Sequence, residues 1–135
     1  MLYFAYGSNM NHEQMKKRCP LSKFICNGKL DNHGIVFDGY SKKWGGSVAN
    51  VIPSEGVDVE GGVFEITNDD LNSLDKCEGY PVSYDRREVI IKAENGVNIN
   101  NVVVYFREGE KEGIPSNEYL NVIKRGARDC GILNN

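Results

Sequence analysis

Apolar residues fall into short blocks whose period switches along the chain between that of a strand and that of a helix. The first block, Leu2 to Tyr6, is continuous and aromatic, and it stops abruptly at Gly7-Ser8-Asn9. This pattern predicts a buried strand that delivers a tight polar turn. From Asn11 to Arg18 the spacing is helical. Asn11 suits an N-cap, Glu13 lies in the first turn, Lys16 to Arg18 lie in the last, and Pro20 stops the helix. Met15 and Cys19 supply its apolar face.

Phe24 to Phe37 carries two apolar clusters around polar residues, which fits strand segments with a turn or bulge. Tyr40 to Gly46 reads as a loop, Ser47 to Ile52 as a strand, and Pro53-Ser54-Glu55-Gly56 as a turn. Val57 to Ile66 is again strand-like, and the Gly61-Gly62 pair in it marks a bulge or a close approach by another group. Thr67 or Asn68 caps a helix with Asp69 and Asp70 in its first turn and Leu71, Leu74 and Cys77 as the buried stripe. Gly79 and Pro81 end it.

Val82 to Lys92 and Val97 to Phe106 are strands joined by Glu94-Asn95-Gly96, a strong hairpin signal that makes them antiparallel. Ser116 to Cys130 is the last helix, with Leu120, Ile123 and Ala127 on one face. The elements do not form a regular βαβ series. The fold class expected is therefore α+β: a small mixed, mostly antiparallel β-barrel with peripheral helices.

Composition narrows the functional classes. The 135 residues suit a single domain, residues 1–135, and 40% hydrophobic with 26% charged residues is ordinary for a soluble globular chain. A net charge of −3 argues against a general nucleic-acid binder. No apolar run approaches the roughly 20 residues of a membrane span, and Leu2 to Tyr6 is too short for a signal peptide. A cytoplasmic protein with no membrane partner is expected. Cys19, Cys26, Cys77 and Cys130 are scattered without a C-x-x-C pair, so the expectation is no metal and mostly packed, reduced thiols.

Two stretches carry candidate chemistry. The Gly7-Ser8-Asn9 turn can present successive N–H groups to a carboxylate or phosphate, or can be an ordinary strand-to-helix turn. Glu78 lies at the carboxyl end of its helix, where the negative end of the macrodipole raises a carboxyl pKa toward the range useful for acid/base work. Asp75 is its rival, and a solvated helix-end glutamate is the plain alternative. Trp44 offers an apolar wall if the Tyr40–Gly46 loop rims a site. Arg86 and Arg87 either meet a substrate carboxylate or form a surface pair.

Taken in order, these segments resemble one family. Leu2-Tyr3-Phe4-Ala5-Tyr6-Gly7-Ser8-Asn9, Trp44-Gly45-Gly46-x-Val48-Ala49-x-Val51, Leu71-Asn72-Ser73-Leu74-Asp75-x-x-Glu78-Gly79 and Pro115-Ser116-x-Glu118-Tyr119 with Gly126-Ala127 are similar to the recurring segments of the gamma-glutamylcyclotransferase-like, or AIG2-like, proteins. The resemblance implies the barrel fold and a cofactor-free reaction. In it the α-amine of a gamma-glutamyl group closes on its own side-chain carbonyl, giving 5-oxoproline and a free amino acid or amine.

It also implies roles for particular residues. Glu78 is the general base and then acid. Gly7, Ser8 and Asn9 hold the gamma-glutamyl group, with hydroxyl contacts from Tyr6 and Tyr105. The expected partner is a small gamma-glutamyl substrate, and a homodimer is left open. Three alternatives stay open as well: a gamma-glutamylamine as substrate, a gamma-glutamyl-protected biosynthetic metabolite, and a non-catalytic binding or interaction protein of the same fold.

Overall fold

A computed structural model describes residues 1–132. Its centre is a closed five-stranded barrel in the order β1-β3-β2-β4-β5. The strands are β1 (Leu2–Ala5), β2 (Lys23–Ser41), β3 (Gly46–Glu65), β4 (Asp85–Ala93) and β5 (Asn98–Phe106). All neighbours are antiparallel except β1 and β5, whose parallel pairing of Leu2 with Val102 and Tyr3 with Val103 closes the barrel. Three helices pack around it: α1 (His12–Arg18), α2 (Asn68–Glu78) and α3 (Asn117–Asp129). Among the described residues no helix is long and apolar enough to cross a membrane.

The continuous apolar character of β1 follows from burial on both faces. Phe4 and Tyr6 point into the barrel core with Leu30, Val51, Val59, Val63, Ile91, Val102 and Val104. Tyr3 and Ala5 face a second core beneath the helices, with Met10, Met15, Phe64, Leu74 and Tyr105. Such alternation is the strand's own period of two.

The Asn95-Gly96 hairpin forms as expected, with Gly96 at φ +83 and the Ala93 amide donating to the Val97 carbonyl. Three expectations are corrected. Pro53 to Gly56 does not reverse the chain, because β3 runs through it; the β2–β3 register shifts there, between the Pro53–His33 and Asp58–Asp31 pairs. Cys77 is exposed, and the buried residues of α2 are Leu74 and Asp70. The Asp70 carboxylate is occupied in a capping box with Thr67. On α3 the buried face is Tyr119, Gly126 and Ala127, rather than one that includes Leu120.

The Gly61-Gly62 pair resolves as close approach. A Cβ on Gly61 would lie 2.6 Å from Phe4 Cζ, and one on Gly62 would lie 2.6 Å from Cys130 Sγ. The β2–β3 register runs through both glycines without a bulge.

Candidate active site

At the end of β1 the chain enters a 3-10 turn, Ser8–Met10, before Asn11 caps α1 by accepting from the Gln14 amide at 3.1 Å. Met10 and Asn11 donate back to the Gly7 and Ser8 carbonyls. The amides of Gly7, Ser8 and Asn9 donate to no protein acceptor among the described residues. Gly7 has φ −116, so a left-handed backbone is not what calls for glycine here. Nor is space, since a Cβ there would make only ordinary contact, 3.5 Å from both the Ala49 Cβ and the Tyr119 hydroxyl.

The turn is held by its own side chains. Asn9 Nδ2 donates to the Tyr3 hydroxyl at 3.0 Å, while Asn9 Oδ1 accepts from Gln14 Nε2 at 2.9 Å and Arg18 Nη1 at 3.0 Å. Ser8 Oγ accepts from Gln14 Nε2 at 2.8 Å. With the Asn9 amide so engaged, what the turn offers a ligand is backbone.

Across from the turn, α2 ends at Glu78, followed by Gly79 in the left-handed conformation at φ +67. A cavity of about 310 Å³ separates the two, lined by Tyr3, Tyr6, Gly7, Ser8, Asn9 and Glu78 among others. The Glu78 carboxyl lines this cavity and takes no hydrogen bond from the described residues. Burial pushes its pKa up to about 7, against the opposing charges of Arg18 and Arg107. Desolvation, rather than the helix dipole expected from the sequence, is the larger physical cause. Asp75, the rival carboxylate, is committed elsewhere: it accepts from the Tyr105 hydroxyl at 2.6 Å and Arg86 Nε at 3.1 Å.

Tyrosines form the cavity's walls. The Tyr6 hydroxyl donates to the Tyr105 carbonyl at 2.8 Å and the Tyr84 hydroxyl to the Ala49 carbonyl at 2.7 Å. Tyr119 differs. Its oxygen accepts from the Ala49 amide at 2.9 Å, and its proton has no acceptor among the described residues. Burial pushes its pKa up to about 12, so it stays a neutral donor. The hydroxyl protons of Tyr6 and Tyr105 are already taken, leaving those two oxygens as acceptors.

Arg107, at the end of β5, enters the same cavity from a buried anchor. Its Nε donates to Asp38 Oδ1 at 3.1 Å, its Nη2 donates to the Asp38 carbonyl at 2.8 Å, and Nη2 also pairs with the Asp38 carboxylate. Asp38 is fully buried and also accepts from the Glu110 amide at 3.0 Å and Asn50 Nδ2 at 3.3 Å. Burial alone would raise the Asp38 pKa, but the hydrogen bonds from Arg107, Glu110 and Asn50 outweigh it and hold it below the usual carboxylate value. The guanidinium stacks 4.5 Å from the Tyr84 ring centre.

A family model described as gamma-glutamyl cyclotransferase, AIG2-like, matches residues 3–121. The chain belongs to that family. The human gamma-glutamylcyclotransferase is 32% identical over 136 aligned positions, which cover 97% of this chain and 72% of the human protein. The mouse gamma-glutamylcyclotransferase is 31% identical with the same coverage. A solved structure of a gamma-glutamyl cyclotransferase superposes with a TM-score of 0.92 at 32% identity, over 97% of this chain and 80% of that one. The barrel with peripheral helices is thus the gamma-glutamyl cyclotransferase fold.

Within this family chain, Tyr6, Gly7, Ser8, Asn9, Glu78 and Tyr105 all line one cavity. Trp44 lines it too, 5.1 Å from the Tyr119 ring centre, so its loop is part of the rim. Arg86 and Arg87 do not. Arg86 stacks on Tyr80 and pairs with Asp75, and Arg87 packs over Phe106 beside His33. The residues missed from sequence are Arg18, Arg107, Tyr84 and Tyr119, whose convergence depends on barrel register and on where α3 docks. Among the described residues no group of three or more His, Cys, Asp or Glu is arranged to hold a metal.

Proposed function

We propose that the protein is a cyclotransferase acting on gamma-glutamyl amides of small amino acids or amines, with Glu78 as general base and acid. The observation that carries this reading is that a desolvated carboxyl, its pKa near 7, shares one cavity with the three unpartnered amides of Gly7, Ser8 and Asn9.

The chemistry asks little of the protein because nucleophile and electrophile belong to one molecule. Ionised Glu78 takes a proton from the substrate's α-ammonium group. The freed amine attacks the side-chain carbonyl carbon, forming the ring C–N bond and placing negative charge on the carbonyl oxygen. Amides of the opening turn and the free Tyr119 proton are the available donors to that oxygen. Collapse breaks the original amide C–N bond while protonated Glu78 returns its proton to the leaving nitrogen, and the second proton still on the ring nitrogen passes by way of Glu78 to the departing amine. The products are 5-oxoproline and a protonated amine, and Glu78 ends ionised as it began.

A pKa near 7 suits both halves of this cycle, since the group must accept a proton and then give it up. The oxygens of Tyr6 and Tyr105 serve as acceptors for the substrate ammonium group. Trp44 at the rim packs against the leaving group. The test is to incubate the full chain with a panel of gamma-glutamyl amino acids and amines and to assay 5-oxoproline. Product is expected from at least one panel member and is expected to vanish in Glu78→Gln. No product from any member, or undiminished turnover in Glu78→Gln, overturns the reading.

A further inference from the structure

A gamma-glutamyl substrate carries its α-carboxylate one bond from the carbon that bears the reacting amine. When Glu78 meets that amine, a carboxylate must therefore sit close by, beside a negatively charged group. A cation has to offset this repulsion.

Four cations line the cavity: Arg18, Lys43, Lys76 and Arg107. Arg107 is already neutralised by the buried Asp38. Lys43 and Lys76 are exposed, and Lys43 lies 5.2 Å from the Trp44 ring centre at the rim, where solvent and salt weaken a charge. Arg18 is different. It is half-buried at the end of α1, and no carboxylate among the described residues pairs with it. Its one protein hydrogen bond among the described residues goes to a neutral acceptor, Asn9 Oδ1, at 3.0 Å. Its full charge and its remaining N–H donors are uncommitted.

The Asn9 contact also fixes where that charge sits. Asn9 Oδ1 is held by Gln14 as well, and Asn9 Nδ2 by Tyr3, so the amide is a rigid bracket between the guanidinium and the turn. Of the two cations that oppose the rise in the Glu78 pKa, Arg18 has the larger effect, which sets it within electrostatic reach of the base.

We infer that Arg18 is a specificity-determining residue that binds the α-carboxylate of the gamma-glutamyl group. This inference rests on the proposed cyclotransferase reading. It explains why the turn's amides remain available to the carbonyl being attacked, since the substrate's other anionic group has its own partner. It also predicts discrimination: the site accepts glutamyl groups with a free α-carboxylate and rejects those whose α-carboxyl is amidated or peptide-linked.

Ring closure leaves the α-carboxylate untouched, so 5-oxoproline carries it and can be used as a probe that does not turn over. The experiment is calorimetric titration of the full chain with 5-oxoproline and with its carboxamide, for wild type, Arg18→Gln and Arg18→Met. Circular dichroism and melting curves verify that each variant is folded. Wild type is expected to favour the acid. Both variants should lose about ten- to a hundredfold in affinity for the acid, the range for a charge-assisted hydrogen-bonded pair, and change little toward the carboxamide.

Unchanged affinity for the acid in folded variants overturns the inference. So does an equal loss for acid and carboxamide, which would make Arg18 a support for Asn9 and nothing more, and so does a wild type indifferent to the two probes. Product formation in the amide panel judges the cyclotransferase reading separately, so either can fail while the other stands.

Discussion

Gly126 of α3 and Met10 of the opening turn approach so closely that a Cβ on the glycine would lie 2.6 Å from the Met10 carbonyl carbon. The helix therefore rests on the backbone of the turn, and Tyr119, two helical turns earlier on the same helix, reaches the cavity. A glycine that looks like a weak point in a helix is here a condition for the site's shape.

Gly126→Ala tests that contact. Helix propensity favours alanine by about 1 kcal/mol, whereas overpacking a tight contact costs about 1–3 kcal/mol. Because the opposing atoms are backbone, the steric cost should win. A net loss of stability is expected in denaturant titration, together with a fall in kcat/KM as Tyr119 moves relative to the turn. A rise in Tm at undiminished activity would mean that the contact relaxes freely.

The kinetic signature of Glu78 follows from its raised pKa. The base form is the ionised one, so kcat/KM should climb with pH and level off above an inflection near 7. An inflection at the ordinary carboxylate value of 4.5 would remove the role assigned to desolvation.

The same group shapes stability with a definite sign. The folded state binds this proton more tightly than the unfolded chain, because burial raises the pKa from 4.5 to about 7. Stability should therefore fall as pH rises across that window and stay level beyond it. Glu78→Gln removes the penalty, so the variant should exceed wild type by on the order of 2–3 kcal/mol at pH 8 and match it near pH 4. Melting curves at the two pH values measure the difference.

Asp38 carries the opposite sign. Its folded pKa is depressed, so its contribution is present above its ordinary value of 3.8 and lost as pH falls through the lower folded value. Asp38→Asn strands a half-buried guanidinium, and breaking such a pair costs about 3–5 kcal/mol. The variant should be destabilised at pH 7, and the gap to wild type should narrow in acid. Equal stability at pH 7 would show that Arg107 finds another partner.

What the sequence made legible was local. The Asn11 cap, the Thr67 cap, the Gly79 terminator and the Asn95-Gly96 hairpin each depend on a few adjacent residues, and each formed where expected. Glu78 and the opening turn could be singled out because both are element ends with recognisable punctuation. Arg18, Arg107, Tyr84 and Tyr119 could not, since nothing near them in the chain says that they converge.

The errors have the same origin. Pro53 to Gly56 has the composition of a turn, but its pairing with β2 across a bulge kept the strand going. Cys77 has the spacing of a buried residue, but the face it sits on opens at the cavity mouth. Arg86 and Arg87, for which the sequence left a substrate carboxylate or a surface role open, fall outside the cavity once the barrel register is fixed.

The parallel pairing of β1 with β5 joins residues a hundred positions apart, Leu2 with Val102, and the Tyr6 hydroxyl reaches the Tyr105 carbonyl beside it. The opening turn is thus made well before the strand that closes the barrel beside it. A chain lacking β5 leaves the barrel open, because β1 then has only β3 beside it. Catalytic competence should therefore arrive late, when the seam has closed and α3 has brought Tyr119 to the cavity rather than when the turn forms.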